Sequence, residues 1–255
     1  MAGTLAVARV AKWNGVEWQA MSSGMSGPVY DLTKLPDGSL AAGGDFLYLN
    51  NSLIVYGLAR WNGSSWGRLA PTTDTYANTL LVLPDGDVIA GGFLNEVDGV
   101  SVSNVARWNG VAWSPLGTGA SDMVRALARL HNGNVVAGGS MTSAGGVPVN
   151  YIAQWDGSTW SPLNEGVNNT VRSLVTLADG TLVAGGSFTS AGPVPANRIA
   201  AWNGVTWSPL GSGMNAMVTA LVQMPNGDIV AGGTFTTAGD MPANRIARWN
   251  GKSWA

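Results

Sequence analysis

The chain has 255 residues, no cysteine, one histidine and a formal net charge of −2. The lack of cysteine excludes disulfides, zinc–thiolate sites, iron–sulfur clusters and cysteine nucleophiles, and one histidine excludes a histidine relay or multi-histidine metal site within the chain. Charged residues make up 11% of it, under the ~25% usual for soluble domains, and the weakly acidic balance argues against nucleic acid or an anionic membrane as partner.

Residues 1–10 contain no long apolar stretch and are interrupted by Arg9, so they do not read as a signal peptide. No apolar run approaches the ~20 residues a membrane-spanning helix needs. The chain then repeats itself. Trp-Asn-Gly occurs at Trp13, Trp61, Trp108, Trp202 and Trp249, and Trp-Asp-Gly at Trp155, with offsets of 48, 47, 47, 47 and 47. A second tryptophan follows each, at Trp18, Trp66, Trp113, Trp160, Trp207 and Trp254. In phase with them runs a turn and an apolar stretch closing on Gly-Gly, at Gly43-Gly44, Gly91-Gly92, Gly138-Gly139, Gly185-Gly186 and Gly232-Gly233.

Each unit reads as four short strands. In residues 171–210, Val171 to Leu177 is strand a, Ala178-Asp179-Gly180 a tight turn, Thr181 to Ser187 strand b, Arg198 to Trp202 strand c and Val205 to Leu210 strand d. Asn-Gly between short apolar runs signals a two-residue hairpin. That loop would set Trp13 opposite Val16 and Ala11 opposite Trp18, with all four on one face. The residue opposite the second tryptophan is then always alanine (Ala11, Ala59, Ala106, Ala153, Ala200, Ala247). The two indoles and the alanine are expected to wedge each unit against its neighbour. No segment carries a helical period. The fold class expected is all-β: a β-propeller of four-stranded antiparallel blades with a repeat of about 47 residues.

Gly-Gly closing strand b, an aromatic in strand c and a tryptophan soon after resemble the kelch-type repeats of galactose-oxidase-like β-propellers. The resemblance spans the chain, with tryptophan where kelch strand c usually has tyrosine. It implies a fold and little about function. The copper site of the enzyme branch needs histidine and cysteine-linked tyrosine, which this chain lacks.

The expectation is one domain, 1–255, with blades at 28–75, 76–122, 123–169, 170–216 and 217–255 and a surplus c–d half-blade at 1–27. A five-bladed ring follows, with the extra hairpin packed on it or exchanged with another chain. Six blades made by sharing half-blades between chains is the alternative.

Long b–c and d–a loops would share one face around the channel mouth, where binding groups can be carried. The candidate ligand-binding residues on it are Asp45, Tyr48, Asn78, Glu96, Asp98, Arg125, Tyr151 and Arg172. Arg125 and Arg172 share one register at the start of strand a with Tyr30, Asn78 and Thr219; variation at a repeated position suggests use. Asn197-Arg198 and Asn244-Arg245 are read as groups tying the b–c loop to strand c. His131 falls in a solvated turn. No Asp-x-Asp-x-Asp-Gly run points to calcium, and neither metal nor cofactor is expected. The function expected is a non-catalytic binding module for a glycan or a protein. A structural scaffold forming homo-oligomers through the half-blade is the alternative. A glycoside-acting enzyme, with Glu96 and Asp98 beside Asp74, is the third reading. The location expected is extracellular and bacterial, although a cysteine-free chain suits a reducing cytosol equally.

Overall fold

In a computed structural model the described residues are 6–49, 53–70 and 76–255. They contain strands and no helix. The chain divides into two compact units, Met1–Gly119 and Ala120–Ala255.

The first unit opens with a hairpin, Ala11–Trp13 and Trp18–Ala20. Two four-stranded antiparallel blades follow. Blade 1 is Val29–Lys34, Leu40–Gly44, Leu58–Trp61 and Trp66–Arg68. Blade 2 is Tyr76–Val82, Val88–Phe93, Val105–Trp108 and Trp113–Pro115. The second unit holds three blades. Blade 3 is Val124–Arg129, Val135–Gly139, Ile152–Trp155 and Trp160–Pro162. Blade 4 is Val171–Thr176, Leu182–Gly186, Ile199–Trp202 and Trp207–Pro209. Blade 5 is Val218–Gln223, Ile229–Gly233 and Ile246–Trp249. Its fourth strand is a short one, held by the Trp249↔Trp254 bridge and a reciprocal backbone pair between Arg248 and Ala255. In every blade the four strands run a, b, c, d in chain order.

The c–d turn differs from the two-residue loop expected. Trp13 lies opposite Trp18 and Ala11 opposite Ala20, so the turn holds four residues and Val16 is in the loop, exposed. The cause is a side chain. Asn14 Oδ1 accepts the amide hydrogens of Val16 at 2.9 Å and Glu17 at 2.8 Å, a local substitute for backbone turn geometry. Asn62, Asn109, Asp156, Asn203 and Asn250 repeat it. The indoles of each pair therefore oppose one another, with ring centroids 5.3–6.4 Å apart. The alanine lies two residues along the same face rather than opposite an indole.

The indoles do join neighbouring blades. Trp202 and Trp207 of blade 4 share a core with Ile152 and Leu163 of blade 3, and Trp207 Nε1 donates to the Leu163 carbonyl at 3.2 Å. One boundary on, Trp254 joins Ile199 and Leu210 and donates to the Leu210 carbonyl at 2.8 Å. In the first unit Trp113 shares a core with Leu58 and Leu80, and the Asp31 carboxylate of blade 1 accepts the Leu80 amide of blade 2 at 2.7 Å. Trp13 and Trp18 break the rule: they are 53% and 43% exposed.

Gly-Gly is explained by close approach. A Cβ on Gly185 would meet Val218 Cγ1 of blade 5 at 2.6 Å, so blade 5 can come this near only over a glycine. A Cβ on Gly186 would lie 2.2 Å from the Thr170 carbonyl oxygen.

Candidate functional site

Two backbone irregularities recur in each blade at the end where strand a starts and strand b stops. The first is a β-bulge in strand a. Pairing with strand b shifts register between Val29 and Asp31, Val124 and Ala126, Val171 and Ser173, and Val218 and Ala220. In blade 2, Ala77 and Thr79 are paired and Asn78 is passed over. The bulged residues are Tyr30, Asn78, Arg125, Arg172 and Thr219. They are the set of varied residues seen at one register in the sequence. A bulge leaves one residue out of the ladder and re-aims its side chain, which is why bulges gather beside functional sites.

The second irregularity is a left-handed residue before strand c: Gly57 (φ 76°), Asn104 (70°), Tyr151 (61°), Arg198 (68°) and Arg245 (66°). Its carbonyl accepts from the second glycine of Gly-Gly, as from Gly139 to Tyr151 at 3.0 Å and from Gly186 to Arg198 at 2.9 Å. Left-handed tyrosine and arginine cost conformational energy that the surrounding hydrogen bonds must over-determine. Sequence reasoning singled out Tyr151 and missed Asn104. The signal was Gly57, a glycine in the same 47-residue register.

In the second unit the bulge row is cationic. Arg125 reaches Ser140 Oγ with Nε at 3.5 Å. Arg172 Nε is buried with no hydrogen-bond partner among the described residues, and burial, then the nearby charge of Arg125, pull the Arg172 pKa down. Two guanidiniums on adjacent bulges thus repel one another. Among the described residues no ion pair neutralises either; the pairs present (Asp37 with Arg60, Asp85 and Asp87 with Arg107, Asp228 with Arg248) each join an a–b turn to strand c. Arg198 Nη1 donates to the Ser187 carbonyl. Tyr151 lines a cleft of about 440 Å³ with Asn150, Glu165 and Asn168.

In the first unit the same row holds Tyr30 and Asn78, and aromatic rings gather beside Tyr30. Tyr30 packs on Tyr76 at 6.3 Å, and Tyr76 on Phe93 at 6.1 Å. Burial raises the Tyr30 pKa, with the Asp45 carboxylate and Tyr76 adding to it. Asp45 and Tyr30 are therefore near one another. Asn78 Oδ1 is buried, with no partner among the described residues.

The other expected residues lie apart from these rows. The b–c segments are small hairpins rather than open loops, such as Ser143–Ala144 with Val147–Pro148. Tyr48 sits in the one pairing Tyr48–Leu49 with Leu53–Ile54, exposed. Glu96 is exposed on the strand Glu96–Val97, and Asp98 is in its turn with φ 54°. Asp74, expected beside Glu96 and Asp98 in the glycosidase reading, lies outside the described residues. Asn197 ties its segment to the d–a connection, donating to the Ser212 carbonyl at 3.0 Å, rather than to strand c. Asn168 and Asn215 are also structural, each accepting two backbone amides from the hairpin above. His131 is exposed in its turn.

Residues 177–200 match the family model described as a domain of unknown function (DUF5122) β-propeller. No curated protein matches the chain. Among solved structures it is similar to the extracellular domain assigned to a hybrid two-component system of B. thetaiotaomicron, with 11% identity and a TM-score of 0.58 over 98% of this chain and 34% of that one. The chain thus spans about a third of that domain. YCF48 bound to D1 peptide is similar at 15% identity and TM-score 0.58, over 98% of this chain and 75% of that one. Virginiamycin B lyase from Staphylococcus aureus with quinupristin is similar at 10% identity and TM-score 0.55, over 89% and 68%. Identities this low show the fold alone, and they support a propeller without its kelch-type subdivision. The chain has the fold of a β-propeller, built of five four-stranded antiparallel blades.

Proposed function

We propose that this chain is a non-catalytic binding module whose ligand is a protein segment bearing carboxylates, held by Arg125 and Arg172. The observation that carries this reading is the pair of un-neutralised guanidiniums on neighbouring bulges of blades 3 and 4. Folding has placed two like charges near one another with no ion pair to either among the described residues. A carboxylate from outside relieves that repulsion by pairing with the guanidinium groups. Guanidinium stays protonated at ordinary pH, so the pair holds anions rather than moving protons. The likeness to propellers described as bound to a peptide and as extracellular domains supports a protein ligand and a place outside the cell.

The test is fluorescence anisotropy with a labelled glutamate-rich peptide, beside a lysine-rich peptide and a neutral oligosaccharide. The acidic peptide should bind, weaken as salt rises, and lose at least about ten-fold in affinity in the Arg125→Ala/Arg172→Ala variant, as expected for a charge-assisted contact. Equal binding by that variant, or binding of the oligosaccharide alone, removes the reading.

A further inference from the structure

Within the first unit, Arg60 in strand c of blade 1 is held in a three-part socket. Its guanidinium lies over the Trp108 ring of blade 2, 6.0 Å from the centroid. Its Nε donates to Ser39 Oγ at 3.0 Å, and it pairs with the Asp37 carboxylate. By the register of the repeat the same three parts recur between blades 4 and 5, both in the second unit: Asp179 stands for Asp37, Thr181 for Ser39 and Trp249 for Trp108. The residue standing for Arg60 is Ala201. Asp179, Thr181, Ala201 and Trp249 line one cleft of about 480 Å³.

A second small residue widens that cleft. Pro36 of blade 1 comes within 3.2 Å of where a Cβ on Gly86 would stand, and His131 of blade 3 within 3.1 Å of where one on Gly180 would. Their counterpart in blade 4 is Ala178, and a Cβ on Gly227 opposite it would meet nothing within 4 Å. Between blades 3 and 4 the place of the arginine is taken by Gln154, which accepts from Asn134 Nδ2 at 3.3 Å. The cleft therefore arises from two changes inside the repeat, at 178 and 201, and both of its walls belong to one unit. Among the described residues no cation pairs with Asp179, whereas Asp228 nearby is paired with Arg248.

We infer that this cleft binds an arginine side chain of a partner protein, in the place that Arg60 fills from within between blades 1 and 2. A guanidinium meets all three parts at once: its face stacks on the indole while its edge donates to the carboxylate and the hydroxyl. An ammonium brings the charge without the plane. Leu177, Val183 and Leu210 also line the cleft and would cover the methylenes of the incoming side chain. The site is distinct from the Arg125 and Arg172 pair: it takes the opposite charge, and it lies at the a–b turn, the other end of strand a from the bulge.

The experiment is saturation-transfer difference NMR on the full chain, with blocked Gly-Arg-Gly, Gly-Lys-Gly and Gly-citrulline-Gly peptides and free arginine at up to millimolar concentration. The arginine peptide should bind, the lysine peptide more weakly and the neutral citrulline peptide not at all. Asp179→Asn keeps an oxygen for the Thr181 amide, which Asp179 Oδ1 accepts at 2.9 Å, and should weaken arginine binding at least about ten-fold. Ala201→Arg should abolish binding by filling the socket from within. Its urea midpoint should not fall, because blades 1, 2 and 5 carry arginine at this register. The Arg125→Ala/Arg172→Ala variant should bind the arginine peptide unchanged, so failure of one site is told apart from failure of the other. No binding of the arginine peptide to the unmodified chain overturns the inference. So does equal binding of the lysine peptide, binding that survives either Asp179→Asn or Ala201→Arg, or binding of free arginine alone, which would mean a pocket for the amino acid.

Discussion

The hairpin Ala11–Trp13/Trp18–Ala20 and the hairpin Ile199–Trp202/Trp207–Pro209 have the same turn, the same Trp–Trp register and the same Asx bonds. One leaves its indoles in water and the other buries them. Local sequence therefore makes the hairpin, and a neighbouring blade makes the core. The burial of an indole is a property of the boundary, as expected for repeats whose stability is a sum of unit and nearest-neighbour parts.

Truncation should separate the two hairpins most. Trp207→Ala removes a buried indole and its bond to Leu163, and should cost about 3–5 kcal/mol. Trp18→Ala in dilute solution should stay within about 0.5 kcal/mol. Urea unfolding of both variants makes the comparison, and equal losses would break it. Glycine substitution tests the facing surface. Gly185→Ala drives a methyl into Val218 and Leu221 and should destabilise by about 1–3 kcal/mol. Gly232→Ala meets only ordinary van der Waals contacts, at 3.8 Å from Ala220 Cβ, and should be neutral or stabilising by up to about 1 kcal/mol. Equal losses at both positions would break the comparison.

The smallest effect expected is at the boundary of blades 1 and 2. Burial raises the Asp31 pKa above the ordinary carboxylate range, although the Leu80 amide and the Thr79 side chain hydrogen-bond to it and partly oppose the rise. With a raised folded-state value the folded chain holds this proton more tightly than the unfolded chain. The contribution of Asp31 to stability is thus fully present below its unfolded pKa and is lost as pH rises through the folded one. Asp31→Asn keeps an oxygen for the Leu80 amide without the charge. Its urea midpoint should rise slightly at neutral pH and match the parent near pH 4, where a midpoint below the parent at both pH values would sink the account.

Much of the fold was legible because tryptophan, glycine and Asn-Gly recur at fixed offsets and each has a narrow structural meaning. The turn register was misread because the same Asn that marks a two-residue loop also caps a four-residue one, and only hydrogen bonding tells them apart. The b–c hairpins were overlooked although Gly145-Gly146 between Ser143-Ala144 and Val147-Pro148 is itself a turn signal; both glycines have positive φ, 61° and 79°. Arg125 and Arg172 were found by their variation within a repeated register. The bulge that aims them leaves no mark in a single strand, because it is a relation between two. The exposure of Trp13 and Trp18 was hidden for a similar reason: burial depends on what packs against the hairpin, and the motif is identical in all six.

The bulge and the left-handed residue before strand c also bear on how such a protein changes. Both are held by main-chain bonds and glycine contacts that are indifferent to the side chain carried, so tyrosine, asparagine, arginine and threonine have all occupied the bulge. Selection can therefore rewrite what these positions recognise, one blade at a time, while the framework that presents them stays as it is.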